Sequence, residues 1–207
     1  MSRSNLPRSF FLRSTLTVAK DLPGKYLVRR IGRKYLIGKI VEVEAYLGEL
    51  DPASHAFRGR TKRNDVMFER GGHLYVYFTY GMHFCCNVVT EEAGKGRAVL
   101  LRAVEPIEGI DAMAAHRGID IPSPGSAPGP VRMRELTNGP AKLCQAFGIG
   151  REQNGSDLLG AELFIARGEV VLRKDLASSS RIGIKAGREK RWRFYIRGNP
   201  FVSKERN

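Results

Sequence analysis

The alternation of hydrophobic and polar residues along the chain predicts several short strands and a smaller number of helices. Apolar positions at helical spacing favour a helix over residues 15–22, which Pro23 and Gly24 end. Runs rich in β-branched and aromatic residues predict strands elsewhere. These strands cover residues 25–30, 34–46, 98–104, 163–165, 170–172, 181–185 and 192–196.

Residues 74–89 are predicted to form a β-hairpin. The segment is dense in aromatic and β-branched residues and is interrupted at Tyr80 and Gly81, a pair that suits a tight turn. The turn would place a large aromatic ring at the tip of the hairpin.

Two further helices are predicted from turn and capping residues. One spans residues 106–116 and has Gly118 as its stop signal. The other starts at Pro140, a residue suited to the first helical position, and stops at Gly148. Between them, the proline-rich residues 117–131 are predicted to be a loop and not a linker between domains.

The mixture of elements predicts the fold class. Strands and helices follow each other without regular alternation, which favours an α+β fold with a largely antiparallel sheet. A length of 207 residues suits one domain, so we expect residues 1–207 to form a single domain in which about the first ten residues are flexible.

The charge of the chain points to a polyanionic partner. Lys and Arg number 35 against 21 Asp and Glu, which gives a net charge of +14. Nucleic acid is favoured over an anionic membrane surface, although a generically basic protein shows the same excess. The chain has no apolar run long enough to cross a membrane, and its basic N-terminus lacks the apolar stretch of a secretion signal.

The three cysteines indicate neither disulfides nor a zinc site. Cys85 and Cys86 are adjacent and Cys144 is isolated, so no disulfide framework and no zinc-ligand spacing is present. A reducing, intracellular location is expected. We expect no metal and no cofactor.

An acidic segment interrupts the basic chain. Residues 41–57 carry four acids and no Lys or Arg. In a strand, Glu42, Glu44 and Tyr46 would share one face, because side chains alternate between faces. A carboxylate next to an aromatic ring suits a site that stacks a flat ligand and polarises water. The alternative is an edge strand with a solvated outer face.

The predicted hairpin carries a second set of candidates. An exposed ring at its tip, Tyr80, could stack on bases or wedge between them in a basic protein. The returning strand is expected to bring Asn87 near Tyr77, and an asparagine amide can read a purine edge. The alternative is that the tyrosines are ordinary half-buried strand residues.

Arg102 lies within an apolar strand and needs a partner. An arginine is seldom buried without a carboxylate or a phosphate beside it. Glu44, Glu105 and a DNA phosphate are the candidates, so a structural salt bridge and a functional role stay open.

Several sequence blocks, in order, resemble the alkyladenine (3-methyladenine) DNA glycosylase family. They span most of residues 40–203, and the ordered set is far more specific than any one block. The blocks are VEVEAYLG, Ser54-His55, the segment from Arg63-Asn64 to Met67-Phe68, LYVYFTYGMHFCCN, VLLRAVEP, GPAKLCQA, RIGI and RFYIRGNPFVS.

The resemblance implies a fold and three catalytic positions. The fold would be one α+β domain with a curved, mainly antiparallel sheet flanked by helices and a protruding hairpin. Glu44 would be the general base that activates water. Arg102 and the main-chain carbonyl of Ile182 would hold that water.

The resemblance also implies a set of groups that bind DNA. Tyr46 would stack on one face of a flipped base, with His55 and Tyr77 on the other, and Asn87 would hinder guanine. The remaining positions are Leu100 in the pocket, Tyr80 as the wedge in the duplex, and Met82, His83 and Lys142 in contact with DNA. His83 stands where some relatives carry a tyrosine, which leaves its contact open.

The implied activity is base-excision repair. A monofunctional glycosylase without lyase activity would hydrolyse the bond between an alkylated or deaminated purine and deoxyribose in double-stranded DNA, leaving an abasic site. The class of base includes 3-methyladenine, 7-methylguanine, hypoxanthine and ethenoadenine. We expect a monomer, linked only indirectly to a downstream abasic-site endonuclease. It would be cytoplasmic and nucleoid-associated in a bacterium and nuclear in a eukaryote.

Two alternatives remain from the residues. A non-catalytic module that binds damaged nucleic acid would keep the aromatic and basic residues but would not need Glu44 and Arg102 to converge. A metal nuclease could use Glu42 and Glu44 as same-face magnesium ligands, although no further ligand is evident.

Overall fold

The computed structural model describes residues 4–120 and 130–203 and is built around one antiparallel sheet. The sheet is open and carries helices beside it, so the predicted α+β class is confirmed. Its described strands are β1 (Tyr26–Ile31), β2 (Lys34–Leu47), β3 (Leu74–Thr79), β4 (His83–Val89), β5 (Arg97–Glu108), β6 (Leu163–Ala166), β7 (Leu176–Ser179) and β8 (Arg193–Ile196).

The strand order places β2 at the centre of the sheet. The order is β3-β4-β5-β2-β1-β6, and β8 pairs both with β2 and with β7. The long strands β2 and β5 pair over most of their length. The VEVEAY block, residues 41–46, therefore lies in the middle of the sheet and not at a solvated edge.

Five α-helices pack beside the sheet in the described part of the chain. Helix α2 packs on β2 and β5, α5 packs on β4 and β5, and α3 packs on α5. The helices are α1 (Arg8–Phe11), α2 (Thr15–Asp21), α3 (Ile110–Arg117), α4 (Pro130–Thr137) and α5 (Pro140–Ala146).

The main core lies between the sheet and these helices. Val43 and Ala45 of β2 are fully buried in it, together with Leu101 of β5 and Phe147 at the end of α5. The period-2 pattern of β2 thus buries its apolar face as predicted. Burial of these side chains removes apolar surface from water, which is the main driving force for the fold.

Strand β5 is longer than the sequence indicates. The helix predicted to start at residue 106 is wrong there, because the strand continues to Glu108 and α3 begins only at Ile110. Pro106 lies opposite Gly38, next to a shift in pairing register. A proline lacks the N–H that a regular ladder needs, and such an irregularity accommodates it within the sheet.

Two of the predicted short strands are absent. Val170 and Leu172 are exposed in an irregular segment, and the strand instead forms at Leu176–Ser179. Residues 181–185 form a loop with Gly183 in the left-handed region (φ +75°). The apolar residues of this segment have the pattern of a strand, but the segment forms a loop beside the centre of the sheet.

The N-terminal segment packs on the sheet, and two helices form that the sequence does not predict. Asn5 bridges to Ala166 of β6 and Leu6 is buried, although this segment was expected to be flexible. Helices α1 and α4 are not predicted from the sequence. Of the predicted loop over residues 117–131, residues 121–129 lie outside the described part, and α4 already begins at Pro130.

In the part of the chain that the structure describes, no helix is long and apolar enough to span a membrane. The described α-helices have at most eight residues.

Gly38 gives a test of the packing between β2 and β5. A Cβ at this position would lie 2.6 Å from Cγ2 of Val104 and 3.1 Å from Cζ of Phe147. We expect Gly38→Ala to lower the free energy of unfolding by about 1–3 kcal/mol, because overpacking forces neighbours out of their rotamers. Urea unfolding followed by circular dichroism measures the change.

Gly139→Ala is the matched control. Gly139 has an extended backbone (φ 167°), and a Cβ there would meet only Cδ of Lys142, at 3.9 Å. The control should be unchanged or more stable by up to about 1 kcal/mol, because alanine restricts the unfolded chain. Equal stabilities of the two variants would contradict the close approach at Gly38.

Candidate active site

A cavity of about 460 Å³ opens beside the centre of the sheet. Its walls come from the end of β2, the hairpin of β3 and β4, the segment after β2 and the loop that follows Arg181. The lining residues are Tyr46, Pro52, Ala53, His55, Met67, Tyr75, Tyr77, Thr79, Tyr80, Cys85, Asn87, Leu100, Arg102, Pro140, Ile182, Gly183, Ile184, Lys185 and Ala186.

Glu44 lies directly behind the wall of this cavity and is fully buried. Its Oε2 accepts a hydrogen bond from the Tyr46 hydroxyl at 2.8 Å, and its Oε1 accepts one from the backbone N–H of Ile182 at 2.8 Å. Nη1 of Arg102 lies 3.1 Å from Oε1. All three partners line the cavity. A buried carboxylate requires such partners, and these suit its ionised form.

An irregularity in the pairing of β2 with β5 brings Arg102 to the carboxylates. Glu42 lies opposite Ala103, and the next residue, Val43, lies opposite Leu101. Arg102 is therefore skipped in the register, and its Nε binds Oε1 of Glu42 at 2.8 Å. Of the candidates from the sequence, Arg102 is thus paired with Glu44 and not with Glu105, which binds Lys39 instead. Bulges of this kind commonly re-aim a side chain near a functional site.

Glu42 has a different set of partners from Glu44. Besides Arg102, it binds Nε of Arg193 at 2.7 Å through Oε1. The backbone N–H of Ser203 donates to Oε2 at 2.6 Å, and the Ser203 hydroxyl donates to Oε1 at 2.8 Å. Both oxygens are therefore used within the protein, which argues against a metal nuclease built on this pair. No cluster of three metal-ligating side chains occurs within residues 4–120 and 130–203.

Three aromatic rings form one wall of the cavity. The ring centroids of His55 and Tyr77 are 4.5 Å apart at an interplanar angle of 81°, and those of Tyr75 and Tyr77 are 5.6 Å apart at 26°. His55 Nδ1 lies 3.1 Å from the Tyr75 hydroxyl. The structure thus brings the predicted His55 and Tyr77 together and adds Tyr75, which the alternation of the hairpin could have indicated.

The hairpin register makes Asn87 a diagonal neighbour of Tyr77, in keeping with the prediction that the two lie near each other. Asn87 lies opposite Tyr75, and Cys85 lies opposite Tyr77. Nδ2 of Asn87 donates to the carbonyl of Tyr75 at 3.3 Å. Asn87 still lines the cavity, but Cys85 is a lining residue that the sequence did not single out. Burial raises the pKa of the Cys85 thiol to about 11, so it stays protonated and is a poor nucleophile.

The buried tyrosines Tyr46 and Tyr75 of the cavity wall are held as neutral phenols. Burial raises the pKa of Tyr75 to about 12. Burial, reinforced by the neighbouring Glu44 carboxylate, holds the pKa of Tyr46 well above its ordinary value. Tyr46 therefore donates its proton in the hydrogen bond to Glu44. Their uncharged, electron-rich rings suit stacking on a flat, electron-poor ligand.

The hairpin tip presents apolar side chains to solvent at the mouth of the cavity. Tyr80 is 86% exposed and has a positive φ of 51°, as the Tyr80-Gly81 turn predicts. Met82 is 70% exposed, and His83 is exposed beside it. An exposed tyrosine at a hairpin tip has no packing role in the protein itself, so a function in binding is favoured.

Two other predicted residues occupy different places. Leu100 is buried and lines the cavity. Lys142 lies on α5, where its Nζ donates to Oδ1 of Asn138 at 2.8 Å, and it is not a lining residue. Pro140, at the start of the same helix, reaches the cavity wall.

The sequence analysis does not predict a buried ion pair that lies beside the cavity. Arg181 and Asp51 are 130 residues apart, and their side chains are fully buried with contacts of 2.5 and 2.8 Å. The guanidinium also faces the Tyr46 ring, 4.6 Å from its centroid. The acidic segment and the arginine of RIGI are visible in the sequence, but their pairing depends on the fold.

Comparison with known proteins assigns the family. The family model described as methylpurine-DNA glycosylase matches residues 9–200. The chain therefore belongs to the methylpurine-DNA glycosylase family.

Curated relatives cover almost the whole chain. One from Carboxydothermus hydrogenoformans is 51% identical over 201 residues, which are 97% of this chain and 99% of that protein. One from Burkholderia lata is 48% identical over 96% of this chain and 90% of its own length, and one from Chlorobium phaeobacteroides is 45% identical over 97% of each. All three carry the name "Putative 3-methyladenine DNA glycosylase".

His55 gives a test of the electrostatics of the cavity. Burial, and then the nearby Arg63 charge, lower the pKa of this imidazole from 6.5. An NMR pH titration should find the His55 pKa below 6.5, and Arg63→Ala should raise it only part of the way, because burial is the larger cause. The unfolded chain takes up the proton first as the pH falls, so this histidine lowers stability below about pH 6.5. A His55 pKa above 6.5 would contradict the buried environment.

Proposed function

We propose that the protein is a monofunctional DNA glycosylase that flips alkylated or deaminated purines into the cavity and hydrolyses their N-glycosidic bond. Residues 1–207 would act as one glycosylase domain. The observation that carries the proposal is the position of Glu44, buried and held by three donors that all line an aromatic cavity. A non-catalytic binding module would have no need to bury a carboxylate there, since burial of a charge is costly.

In the proposed reaction, the alkylated purine leaves as a good leaving group. Alkylation at N3 or N7 makes the base cationic, so it can depart without a proton from the protein. The sugar develops oxocarbenium character, which a nearby carboxylate stabilises. Glu44 would take a proton from the water that attacks the anomeric carbon, so one carboxylate suffices for cationic bases.

Arg102 and Ile182 would position that water with Glu44. Arg102 is fixed by Glu42 as well as by Glu44, which restrains the direction of its guanidinium. The N–H of Ile182 binds Glu44, and its main-chain carbonyl is proposed as a third holder of the water. Each carboxylate oxygen can accept more than one hydrogen bond, so the bond from Tyr46 leaves capacity for a water molecule.

Aromatic rings would hold the base, and the side-chain amide of Asn87 would discriminate between bases. Tyr46 is proposed to stack on one face, with His55 and Tyr77 against the other, and such rings bind a cationic purine well. Asn87, fixed by the Tyr75 carbonyl, would hinder the exocyclic amino group of guanine. Leu100 would close the apolar part of the pocket.

Neutral bases such as hypoxanthine or ethenoadenine need a proton from elsewhere. His55 is a poor source, because its lowered pKa leaves the imidazole neutral near pH 7. A water molecule is therefore the favoured donor. Slower release of neutral than of cationic bases follows from this difference.

Contact with the duplex is proposed to centre on the hairpin. Tyr80 would fill the gap left by the flipped nucleotide, which offsets part of the few kcal/mol lost in unstacking and unpairing. Met82, His83 and Lys142 would contact the flanking DNA. The net charge of +14 supplies the attraction to phosphates, and one copy of the chain suffices for one base.

Cleavage of the DNA strand is not part of the proposal. A lysine forms a Schiff base readily only when its pKa is lowered by desolvation or by a neighbouring cation. Lys185 is the lysine in the cavity lining, and it is exposed to solvent. Borohydride should therefore trap no covalent complex with DNA, whereas a trapped complex would assign lyase activity.

Glu44→Gln tests the general base. We expect release of 7-methylguanine in single-turnover assays to fall by about 10²–10⁴-fold, the usual contribution of such a base, while affinity for the duplex stays within a few-fold. The assay measures free base by chromatography. Retention of binding separates a catalytic role from loss of the fold.

Glu49→Gln is the matched control for this substitution. Glu49 belongs to the same acidic segment but is exposed to solvent. The control should release base at the wild-type rate. If Glu44→Gln also did so, the assignment of the general base would be wrong, and if wild type released no base, the binding-module alternative would gain support.

Tyr80→Ala tests the proposed wedge. We expect weaker binding to lesion duplexes and slower single-turnover release by roughly tenfold, because about 1–3 kcal/mol of base stacking is lost. A lesion in single-stranded DNA should show a smaller change, since no gap needs filling. Val170→Ala, at a residue 82% exposed and outside the cavity lining, should leave both values unchanged. Equal effects on duplex and single strand would count against a wedge.

A further inference from the structure

The Asp51–Arg181 pair joins three segments that build the cavity. Nη1 of Arg181 donates to the carbonyl of Ala45, the residue between Glu44 and Tyr46, at 2.9 Å. The residue after Arg181 is Ile182, whose N–H binds Glu44. The pair thus ties the end of β2 to the loop at residues 181–186.

Asp51 extends this connection to the segment that carries His55. Its Oδ1 accepts the backbone N–H of Ala53 at 3.2 Å, and its Oδ2 accepts that of Leu47 at 3.4 Å. Both Asp51 and Arg181 have fully buried side chains, so water cannot replace these contacts. This ion pair therefore helps to hold the two sides of the cavity together.

The pair also determines the net charge next to the Tyr46 ring, because Arg181 faces that ring. The guanidinium of Arg181 lies 4.6 Å from the Tyr46 ring centroid and is not part of the cavity lining. A purine stacked on the cavity side of Tyr46 would lie about 8 Å from this cation, given a usual stacking distance. At that distance an uncompensated positive charge in a buried site would repel a cationic base by more than thermal energy.

We propose that Asp51 and Arg181 form a charge-neutral positioning pair that lets the cavity keep its preference for cationic over neutral purines. Arg181 positions Tyr46 and Ile182, and Asp51 cancels its charge so that a methylated, cationic base is not repelled. Both residues act through others, so neither is a catalytic residue. The inference rests on the proposed function, because it assumes that a purine occupies the cavity.

The test compares two duplexes that differ in the charge of one base. The first carries 7-methylguanine on a 2′-fluoro sugar, which is cationic at pH 6 and resists hydrolysis. The second carries 7-methyl-7-deazaguanine on the same sugar, which has nearly the same shape and is neutral. The ratio of their affinities, measured by fluorescence titration on one preparation, does not depend on the fraction of active protein.

Asp51→Asn should lower the affinity ratio of cationic to neutral duplex by about tenfold, because arginine stays protonated and becomes an unpaired charge. Arg181→Met should raise the ratio, because the Asp51 carboxylate then lies near the base without a partner cation. The double variant, without either charge, should bind both duplexes more weakly at a ratio near that of wild type.

A purely structural pair gives a different result. If Asp51→Asn weakened both affinities equally, or if Arg181→Met left the ratio unchanged or lowered it, the inference would be overturned. The Arg181→Met arm keeps the test decisive should Asp51→Asn fold poorly, since an unpaired buried cation is destabilising.

The proposed function fails separately from this inference. It fails if wild type releases no base from hydrolysable lesions. If wild type does release base but the affinity ratio is the same in wild type, Asp51→Asn and Arg181→Met, only the inference fails.

Discussion

The need to neutralise buried charge governs the centre of this molecule. Six charged side chains are buried in the described residues: three carboxylates and three guanidiniums. Four of them contact one another around Glu42, and the other two, Asp51 and Arg181, form a separate pair. An ionised group removed from water is stable only when it is paired and hydrogen-bonded. The six buried charged residues are Glu42, Glu44, Asp51, Arg102, Arg181 and Arg193.

The pairing explains why distant parts of the chain converge there. Strand β2 supplies Glu42 and Glu44, while the arginines arrive from β5, from β8 and from the loop before residue 182. Each arginine brings its own segment to the cavity: Arg102 comes with the irregularity in β5, and Arg181 comes with the N–H of Ile182. The carboxylates thereby arrange the walls of the cavity that is proposed to hold the base.

Much of the site could be predicted from local pattern and from family resemblance. Alternation along VEVEAY placed Glu42 and Glu44 on one face, and the Tyr80-Gly81 turn placed an exposed ring at a hairpin tip. Local pattern could not separate the two carboxylates, because the difference lies in partners such as Ser203, 161 residues away from Glu42. The strand through Pro106 was not predicted for a similar reason, because the register shift that accommodates the proline exists only in the assembled sheet.

The binding of Ser203 to Glu42 has a consequence for the order in which the protein matures. A chain emerging from the ribosome exposes β2 and β5 long before it can supply Arg193 and Ser203. Until those residues arrive, Glu42 lacks most of its partners and has only Arg102 of the contacts described above, whereas Glu44 already has Tyr46. Completion of the charge cluster is thus a late step of synthesis, because Glu42 gains its last partners only when these residues have been made.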